Sequence, residues 1–485
     1  MGNSQSHNHS SPEHDPISND RRRSSGKLPS SAYVPALERL FQKLELTAES
    51  DNGHPGEITR STFENVFHGP LQIFGKLLYR QMVTVGHHST EKVKDRISCE
   101  QFVKAGKEVL KLFSETDQHK YYFKLFAQGQ EHLSHDDALK MVNIAYALTL
   151  SSCQIAYSKI PQDDKIFEAV VQSMFGINTE IKYPEMQKWM DQHCPHMFSG
   201  VHNWVYTILT GSKMPSELET VVVPLLERFS EGTHCMTMGM LWLLSATLPH
   251  IYTHTEKEAE SSSTDQQPKE TAGTKNPLLT SYHLLMKLAR LHQCQSWTSL
   301  YDSDNHGLSM NRFSHHVSSY LEPTVTLISF EGRNIYCVAQ DVPWREGSRR
   351  LGGEHSQLIQ VSPVYRVVKG KEPLVLWNTT DRNIPKGLYI GSTGKGNVLC
   401  IPQDFDKLQH YGVDCELHKL EMWGCGGSEA YQAQQKQKHW ERKEVEKHKS
   451  RKLHLDTNWD ENPDRQLLSW GGVEVNHQYG RNDGM

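Results

Sequence analysis

The sequence predicts an α+β protein, in which an all-helical N-terminal half precedes a sheet-rich C-terminal half and a charged final helix. Three observations predict this fold class. Apolar residues recur at helical spacing across residues 33–252, short apolar runs broken by turn residues fill residues 278–427, and residues 428–452 are strong helix formers without Gly or Pro. Because 485 residues exceed what one hydrophobic core usually serves, we divide the chain into five segments: 1–32, 33–252, 253–277, 278–427 and 428–485.

Composition excludes several classes of function. A formal charge of -5 over 485 residues argues against nucleic acid as the main partner. The nine cysteines are scattered and form no Cys-x-x-Cys pair, which is typical of a reduced, intracellular protein. The N-terminus has no apolar stretch that a secretory signal would need. The longest apolar run, residues 236–248, is shorter than the ~20 residues that span a bilayer, so we expect a buried helix there.

Residues 1–32 are predicted to be a disordered arm that carries a lipid. Gly2 follows the initiator Met, and Ser6 stands where the myristoylation pattern places Ser or Thr, so we expect N-myristoylation at Gly2. One myristoyl chain binds membranes only marginally, and a second signal is needed. A basic run either attracts an anionic membrane surface or is simply solvated, and both interpretations stay open. This run consists of Arg21, Arg22, Arg23 and Lys27.

Residues 33–252 show the spacing of packed amphipathic helices, beginning with Leu37, Leu40, Phe41 and Leu44. Residues 51–62 between them resemble the calcium loop of EF-hands, with Asp51 first, Gly56 sixth and Ile58 eighth. That loop normally provides carboxylates at positions three, five and twelve, whereas Thr62 is the twelfth residue here. We therefore expect an EF-hand-like domain that keeps the shape without binding calcium.

Residues 253–277 are predicted to be a disordered linker, because they are polar and poor in aromatic residues. Leu284, Leu285, Leu288 and Leu291 then mark an amphipathic helix. The strand-like runs that follow predict two packed antiparallel sheets with flanking helices. They comprise Thr324–Phe330, Asn334–Gln340 and residues 358–361, 364–368, 374–377, 388–390, 397–401 and 415–423.

A family resemblance is carried by motifs at both ends of residues 280–427. They resemble the opening and closing signatures of TLDc domains. The matching residues are Trp297, Tyr301, His306, Gly307, Phe313, Gly387, Gly391, Glu421, Trp423, Gly424 and Gly426. We expect Trp297 and Phe313 to anchor flanking helices on the sheet, with Gly307 at the turn between them. The sequence departs from the family at Tyr336–Gln340, which lacks the usual small residues. The segment 405–416 is also shorter than is usual in the family, so one edge of the sheet is expected to be incomplete.

Together with the myristoylated arm and the EF-hand-like half, the signatures resemble the lysosomal, mTOR-associated type of TLDc protein. This resemblance implies a fold of two antiparallel sheets packed as a β-sandwich. It also implies a protein on the cytoplasmic face of the lysosomal membrane, with a cytosolic pool. The implied partners are the V-ATPase, bound through the TLDc half, and components of the mTOR complex. No cofactor is implied.

Residues 428–485 form a tail whose helical part, residues 428–452, carries eight basic against four acidic side chains. A helix this polar is not expected to pack into the protein's own core. Either it projects toward a partner, with Trp440, Arg442 and Lys443 as contacts, or it is a solvated tail. The apolar patch 467–470 is a candidate for folding back on the body.

Catalytic and metal sites are not expected, because no catalytic motif or zinc-type spacing occurs in the sequence. His193, Cys194 and His196 are the nearest approach to a ligand cluster. Glu421 is interpreted as a carboxylate at the core edge that binds backbone. The alternative function is an oxidation-resistance protein with weak thiol-based peroxide chemistry at a residue such as Cys425, which requires an exposed thiol with a lowered pKa.

Overall fold

The computed structural model describes residues 33–48, 56–64, 67, 71–86, 96–212, 222–227, 234–253, 296–394, 396–453, 467 and 470–471. The lipidation site, the basic run, most of the linker and the predicted helix at Leu284–Leu291 lie outside these residues. Within them, helices occupy the N-terminal half and strands dominate the C-terminal half, so the mixed helix and sheet composition is confirmed.

Ten α-helices form most of the described N-terminal half, with a 3-10 turn at His250–Tyr252. In chain order they are α1 (Val34–Ala48), α2 (Arg60–Glu64), α3 (Gln72–Gly86), α4 (Cys99–Leu110), α5 (Glu115–Phe126), α6 (His135–Ser152), α7 (Pro161–Phe175), α8 (Tyr183–His193), α9 (Ser199–Thr210) and α10 (Met238–Thr247). The apolar face predicted for α1 is buried.

Short strands link the helices in pairs. Strand β1 (Glu57–Thr59) pairs antiparallel with β2 (Arg96–Ser98), and β3 (His132–Ser134) pairs in the same way with β4 (Glu180–Lys182). Each of β2 and β3 ends in a serine that caps the next helix. Ser134 accepts a hydrogen bond from the Asp137 backbone N–H, which satisfies a donor that the first turn of α6 leaves free.

Ten strands of the C-terminal half and one strand of the helical half form one sheet of eleven described strands. They are β5 (Leu225–Glu227), β6 (Ser296–Asp302), β7 (Thr324–Phe330), β8 (Asn334–Gln340), β9 (Gln357–Ser362), β10 (Arg366–Gly370), β11 (Val375–Asn378), β12 (Gly387–Thr393), β13 (Gly396–Pro402), β14 (Lys407–His410) and β15 (Val413–Gly424). Their order is β10-β9-β8-β7-β15-β14-β13-β12-β11, with β6 also paired to β15 and β5 paired in parallel to β6. Three further helices are α11 (Ser303–His306), α12 (Met310–Val317) and α13 (Gly427–Leu453).

The long strand β15 belongs to both parts of this sheet. Its first residues pair with β14, and its last residues pair with β7 and β6. Side chains from both parts, including Ile328 and Ile390, nevertheless share one core, so the sheet folds over that core. The predicted two-sheet sandwich remains an interpretation of this arrangement.

Several strand expectations are confirmed and two features were not foreseen. The two strands of the hairpin formed by β7 and β8 have the predicted bounds. Residues 405–416 do not leave an incomplete edge, because β14 pairs with β13 on one side and β15 on the other. Trp297 lies on strand β6, which the sequence did not indicate.

The two halves share a second, larger core. Helix α10 is apolar on every side because it is enclosed, with α6 and α7 against it and Tyr365 of the sheet half bonded to it. The expectation of a buried helix in residues 236–248 is thus confirmed. Asp163 of α7 accepts hydrogen bonds from Thr237 and the Gly239 N–H and so caps α10. Among the described helices, none combines the length and apolar character needed to cross a bilayer.

Candidate functional site

Most signature residues of the C-terminal half are buried at the seam with the helical half or in the sheet core, whereas His306, Gly307 and Gly426 are partly buried. Trp297 and Trp423 have no exposed surface, and the Trp297 indole N–H donates to the Tyr252 carbonyl at 2.8 Å. Phe313 and Tyr301 pack edge to face in the other core. These side chains therefore hold the fold together and do not present a surface to a partner.

Two of the signature glycines meet specific backbone requirements. Gly307 has φ +78°, and the Tyr301 hydroxyl donates to its carbonyl at 2.7 Å, which closes the turn between α11 and α12. A Cβ on Gly424 would lie 2.4 Å from the Tyr320 ring, so only glycine permits that contact. Strand β12 contains Gly387 and Gly391, and Gly426 follows the end of β15.

A buried ion cluster joins the two halves beside Trp423. Glu421 is 1% exposed and accepts hydrogen bonds from the backbone N–H groups of Cys235 and Met236, at 3.1 Å for Met236. Its expected role as a carboxylate that binds backbone is thus confirmed. His234 lies 3.6 Å from Glu421 and 3.7 Å from Asp302.

Lys419 supplies the positive charge of this cluster. Its ammonium lies 3.1 Å from Glu421, 3.6 Å from Asp302 and 2.6 Å from Asp304. Although its burial opposes the charged form, hydrogen bonding to Asp304 and the charges of Glu421 and Asp302 raise the Lys419 pKa above its usual value. Lys419 and Glu421 are two residues apart on β15 and thus face the same side of the strand.

Three of these side chains, those of His234, Asp302 and Glu421, have the composition and closeness of a metal site. The donor set alone fits a divalent cation. Lys419, however, places a fixed positive charge within hydrogen-bonding distance of the same carboxylate. Because a cation there would be repelled, the cluster is best described as an ion pair within the sheet half, whose Glu421 also accepts hydrogen bonds from the helical half. Sequence reasoning missed it, since His234 lies 187 positions before Glu421 and no local motif links them.

Cysteine burial bears directly on the alternative chemistry. Cys425 has no exposed surface, and burial raises its pKa well above the ordinary value. Burial likewise raises the pKa of Cys194 and Cys235 to about 12. A reactive thiol needs the opposite environment, so Cys425 is a poor peroxide-reducing residue.

The other residues considered as ligands each contact a different group. His193 accepts a hydrogen bond from the Val367 N–H, Cys194 is buried beside the Ala246 carbonyl, and His196 contacts Glu115. In the loop that resembles a calcium site, Thr62 is buried and hydrogen-bonded to Thr59.

The C-terminal helix α13 is docked on the body along its first half. Gln434, which is 2% exposed, donates to the His316 and Ser318 carbonyls at 2.9 and 2.8 Å. Lys438 donates to the His316 carbonyl at 3.0 Å. These carbonyls end helix α12 and would otherwise lack partners. The two expected arrangements, a helix that projects or a solvated tail, are therefore wrong for the first half of α13, because its polar side chains dock it on the body.

Beyond these contacts α13 presents an exposed, mainly basic surface. Arg442 lies 3.4 Å from His315, and Glu441 accepts a hydrogen bond from Ser319. Trp440 is 57% exposed and Lys443 is exposed. Eleven further helical residues extend ~16 Å past Arg442. The three predicted contact residues thus lie on one helix. In the apolar patch 467–470, the described residues Leu467 and Trp470 are also exposed.

Comparison with known proteins identifies the C-terminal half. Residues 277–434 match the model of the TLDc domain. The protein "Restriction of telomere capping protein 5" of Leptosphaeria maculans is 23% identical over 252 residues. That alignment covers 36% of this chain and 40% of the relative, so the chain spans less than half of the relative's length.

Proposed function

We propose that this chain, with its TLDc domain at residues 277–434, is a non-enzymatic regulator tethered to membrane. It binds the V-ATPase through the TLDc half and supports mTOR signalling, together with mTOR complex components, at the cytoplasmic face of lysosomes. A cytosolic pool exchanges with the bound form. The sequence signatures suggest this type of TLDc protein, and the observation that carries the binding role is the docked helix with Trp440 exposed on it.

The docking of α13 supports a binding role because it makes the exposed surface rigid. An exposed tryptophan on a fixed helix loses little conformational entropy when it enters a partner's pocket. Tryptophan and arginine are also the residues that most often dominate binding energy at interfaces. The tail hypothesis therefore assigns Trp440, Arg442 and Lys443 to a contact made in addition to that of the TLDc domain.

The N-terminal half fits the role of a scaffold. Ile58, at the eighth position of the loop that resembles an EF-hand, pairs with Ile97 on the neighbouring short strand, and Leu133 pairs with Ile181 in the second such unit. We infer an EF-hand-like domain whose loops serve packing. Between β4 and α8, Glu185 accepts a hydrogen bond from the Lys182 N–H and caps α8, which supports a structural use of its carboxylate.

The membrane tether is proposed at Gly2, with Arg21, Arg22, Arg23 and Lys27 adding attraction to anionic lipid. A Gly2→Ala variant lacks the glycine that the myristoylation pattern requires and would not be acylated. It should therefore move from the membrane fraction to the cytosol. Cell fractionation measures this share, and V-ATPase recovered with each variant is measured in the same samples. Equal membrane shares for the variant and the wild type would contradict the tether.

The alternative is weak thiol-based peroxide chemistry. Burial of Cys425 and of Cys337, which raises the pKa of each thiol, speaks against it. A thiol-reactivity profile of the purified protein distinguishes the two functions. Rapid modification of one cysteine at neutral pH would favour the alternative.

A further inference from the structure

The helical half contains a cavity of about 430 Å³ that none of the proposed contacts uses. Its lining includes Leu139, Ile144 and Ala147 of α6, with Ile73 of α3 and Tyr157 at its mouth. Ile73 is 53% exposed and Tyr157 is 52% exposed, although both are large and apolar. The cavity is therefore an open, largely apolar site of the size that small ligands occupy.

The dimensions of the cavity suit a saturated acyl chain. A methylene group is about as large as a water molecule, whose share of liquid volume is ~30 Å³, so a fourteen-carbon chain needs roughly 400 Å³. The cavity is of that size. Asp136, Lys140 and Asn143 also line it and offer hydrogen-bonding groups for a polar end of the ligand.

The chain itself provides such a ligand on a long tether. Tyr33, the first described residue, is buried against Tyr206 of the helical half, 31 positions after Gly2. Thirty-one residues span at most ~100 Å, more than the width of a domain of this size. A tethered group acts at roughly millimolar effective concentration, so even a weak site is filled.

We propose that this cavity holds the N-terminal myristoyl chain when the protein is off the membrane. This inference rests on the proposed lipidation of Gly2. Burying the chain removes apolar surface from water, and entry into a bilayer requires it to leave the cavity. The cavity therefore competes with the membrane for one acyl chain and sets the size of the cytosolic pool.

The first test uses full-length protein that carries no lipid, so that the cavity is examined independently of acylation. Sodium myristate is titrated into it by calorimetry. We expect one site, with binding weakened ~10-fold or more by Ala147→Phe, which fills the cavity, and by Ile73→Asp, which places a charge at its mouth. Ile177→Asp is the matched control, because Ile177 is fully exposed and does not line the cavity. Because Ile73 is exposed, its variant should fold even if Ala147→Phe does not.

The second test compares myristoylated proteins on phosphatidylcholine vesicles with added phosphatidylserine. The Ile73→Asp variant should sediment with vesicles several-fold more than the wild type, and Ile177→Asp should not. If wild-type protein binds no myristate, or if Ile73→Asp changes neither assay, the cavity proposal is overturned. If Gly2→Ala sediments as well as the myristoylated wild type, the proposed tether fails, whatever the myristate titration shows.

Discussion

At the scale of single residues, the buried carboxylates of Glu421 and Asp302 depend on the positive charge of Lys419. Replacing it by methionine leaves Glu421 and Asp302 buried without their counter-charge. We expect Lys419→Met to lower the free energy of unfolding by ~3 kcal/mol, which is typical when one partner of a buried ion pair is removed. Chemical denaturation measures the loss. Lys386→Met is the exposed control, and adding Glu421→Gln to Lys419→Met should restore part of the stability. A loss as large for Lys386→Met as for Lys419→Met would contradict this role.

A second residue-scale prediction concerns pH. Burial lowers the His202 pKa from 6.5 to about 4, so the folded protein keeps the ring neutral at pH 5 while the unfolded chain takes up a proton. The stabilisation is therefore complete above about pH 6.5 and falls as the pH drops toward 4, by about 2 kcal/mol at pH 5.

Unfolding measured at pH 7 and pH 5 tests this difference. In His202→Gln the free energy of unfolding should fall by about 2 kcal/mol less between pH 7 and pH 5 than it does in the wild type. The variant also loses the contact between Tyr122 and the ring, which lowers its stability at both pH values. His439→Gln, on an exposed position of α13, serves as the control. An unchanged pH dependence in His202→Gln would show that the ring is not held neutral.

Residue-level prediction from sequence succeeded where a side chain acts through its immediate surroundings. The structural use of Glu421 and the turn at Gly307 follow from local chemistry. The partnership of His234 with Asp302 and Glu421 could not be foreseen, since its members come from distant segments and no local motif links them.

At the scale of elements, α13 shows why amphipathic patterning failed to predict docking. Its buried stripe consists of Gln434 and Lys438, whose groups bind the carbonyl end of α12. Burial lowers the Lys438 pKa to about 8, with the charge of Arg442 acting in the same direction. A hydropathy pattern cannot predict this docking, because the contact consists of hydrogen bonds to the end of another helix.

The element-scale prediction is that Gln434→Ala detaches the middle of α13. The Ser318 carbonyl then loses the Gln434 donor and the His316 carbonyl keeps only that of Lys438, so we expect a cost of ~2 kcal/mol and a fall of a few degrees in Tm. Gln435→Ala is the matched control, because Gln435 is on the same helix and exposed. Equal melting temperatures for the two variants would contradict the docking contact.

At the scale of the whole molecule, the helical half and the sheet are joined more closely than the sequence indicates. The larger core includes residues of both halves, and Tyr365 bonds to Thr247 across the seam at 2.5 Å. The alternation of helical and strand-like patterns predicted the two halves correctly. It could not predict their shared core. An apolar strand face has the same sequence pattern whether the helix that covers it belongs to the same half or to the other half.

The central claim concerns the V-ATPase, and the docked helix dictates how to test it. Deleting residues 428–485 would remove Gln434 and Lys438 and lower stability along with any binding. Exposed positions beyond the docked stripe are therefore substituted, in a Trp440→Ala/Lys443→Ala variant that should melt at the wild-type temperature. Trp470→Ala, at a tryptophan that is 82% exposed, is the matched control.

The decisive measurement is a titration of purified V-ATPase with these full-length proteins at fixed salt. The account predicts saturable binding of the wild type and of Trp470→Ala, and binding that is ~30-fold weaker for Trp440→Ala/Lys443→Ala. Equal affinity of all three would remove α13 from the interface. Failure of the wild-type protein to bind the V-ATPase would contradict the account as a whole.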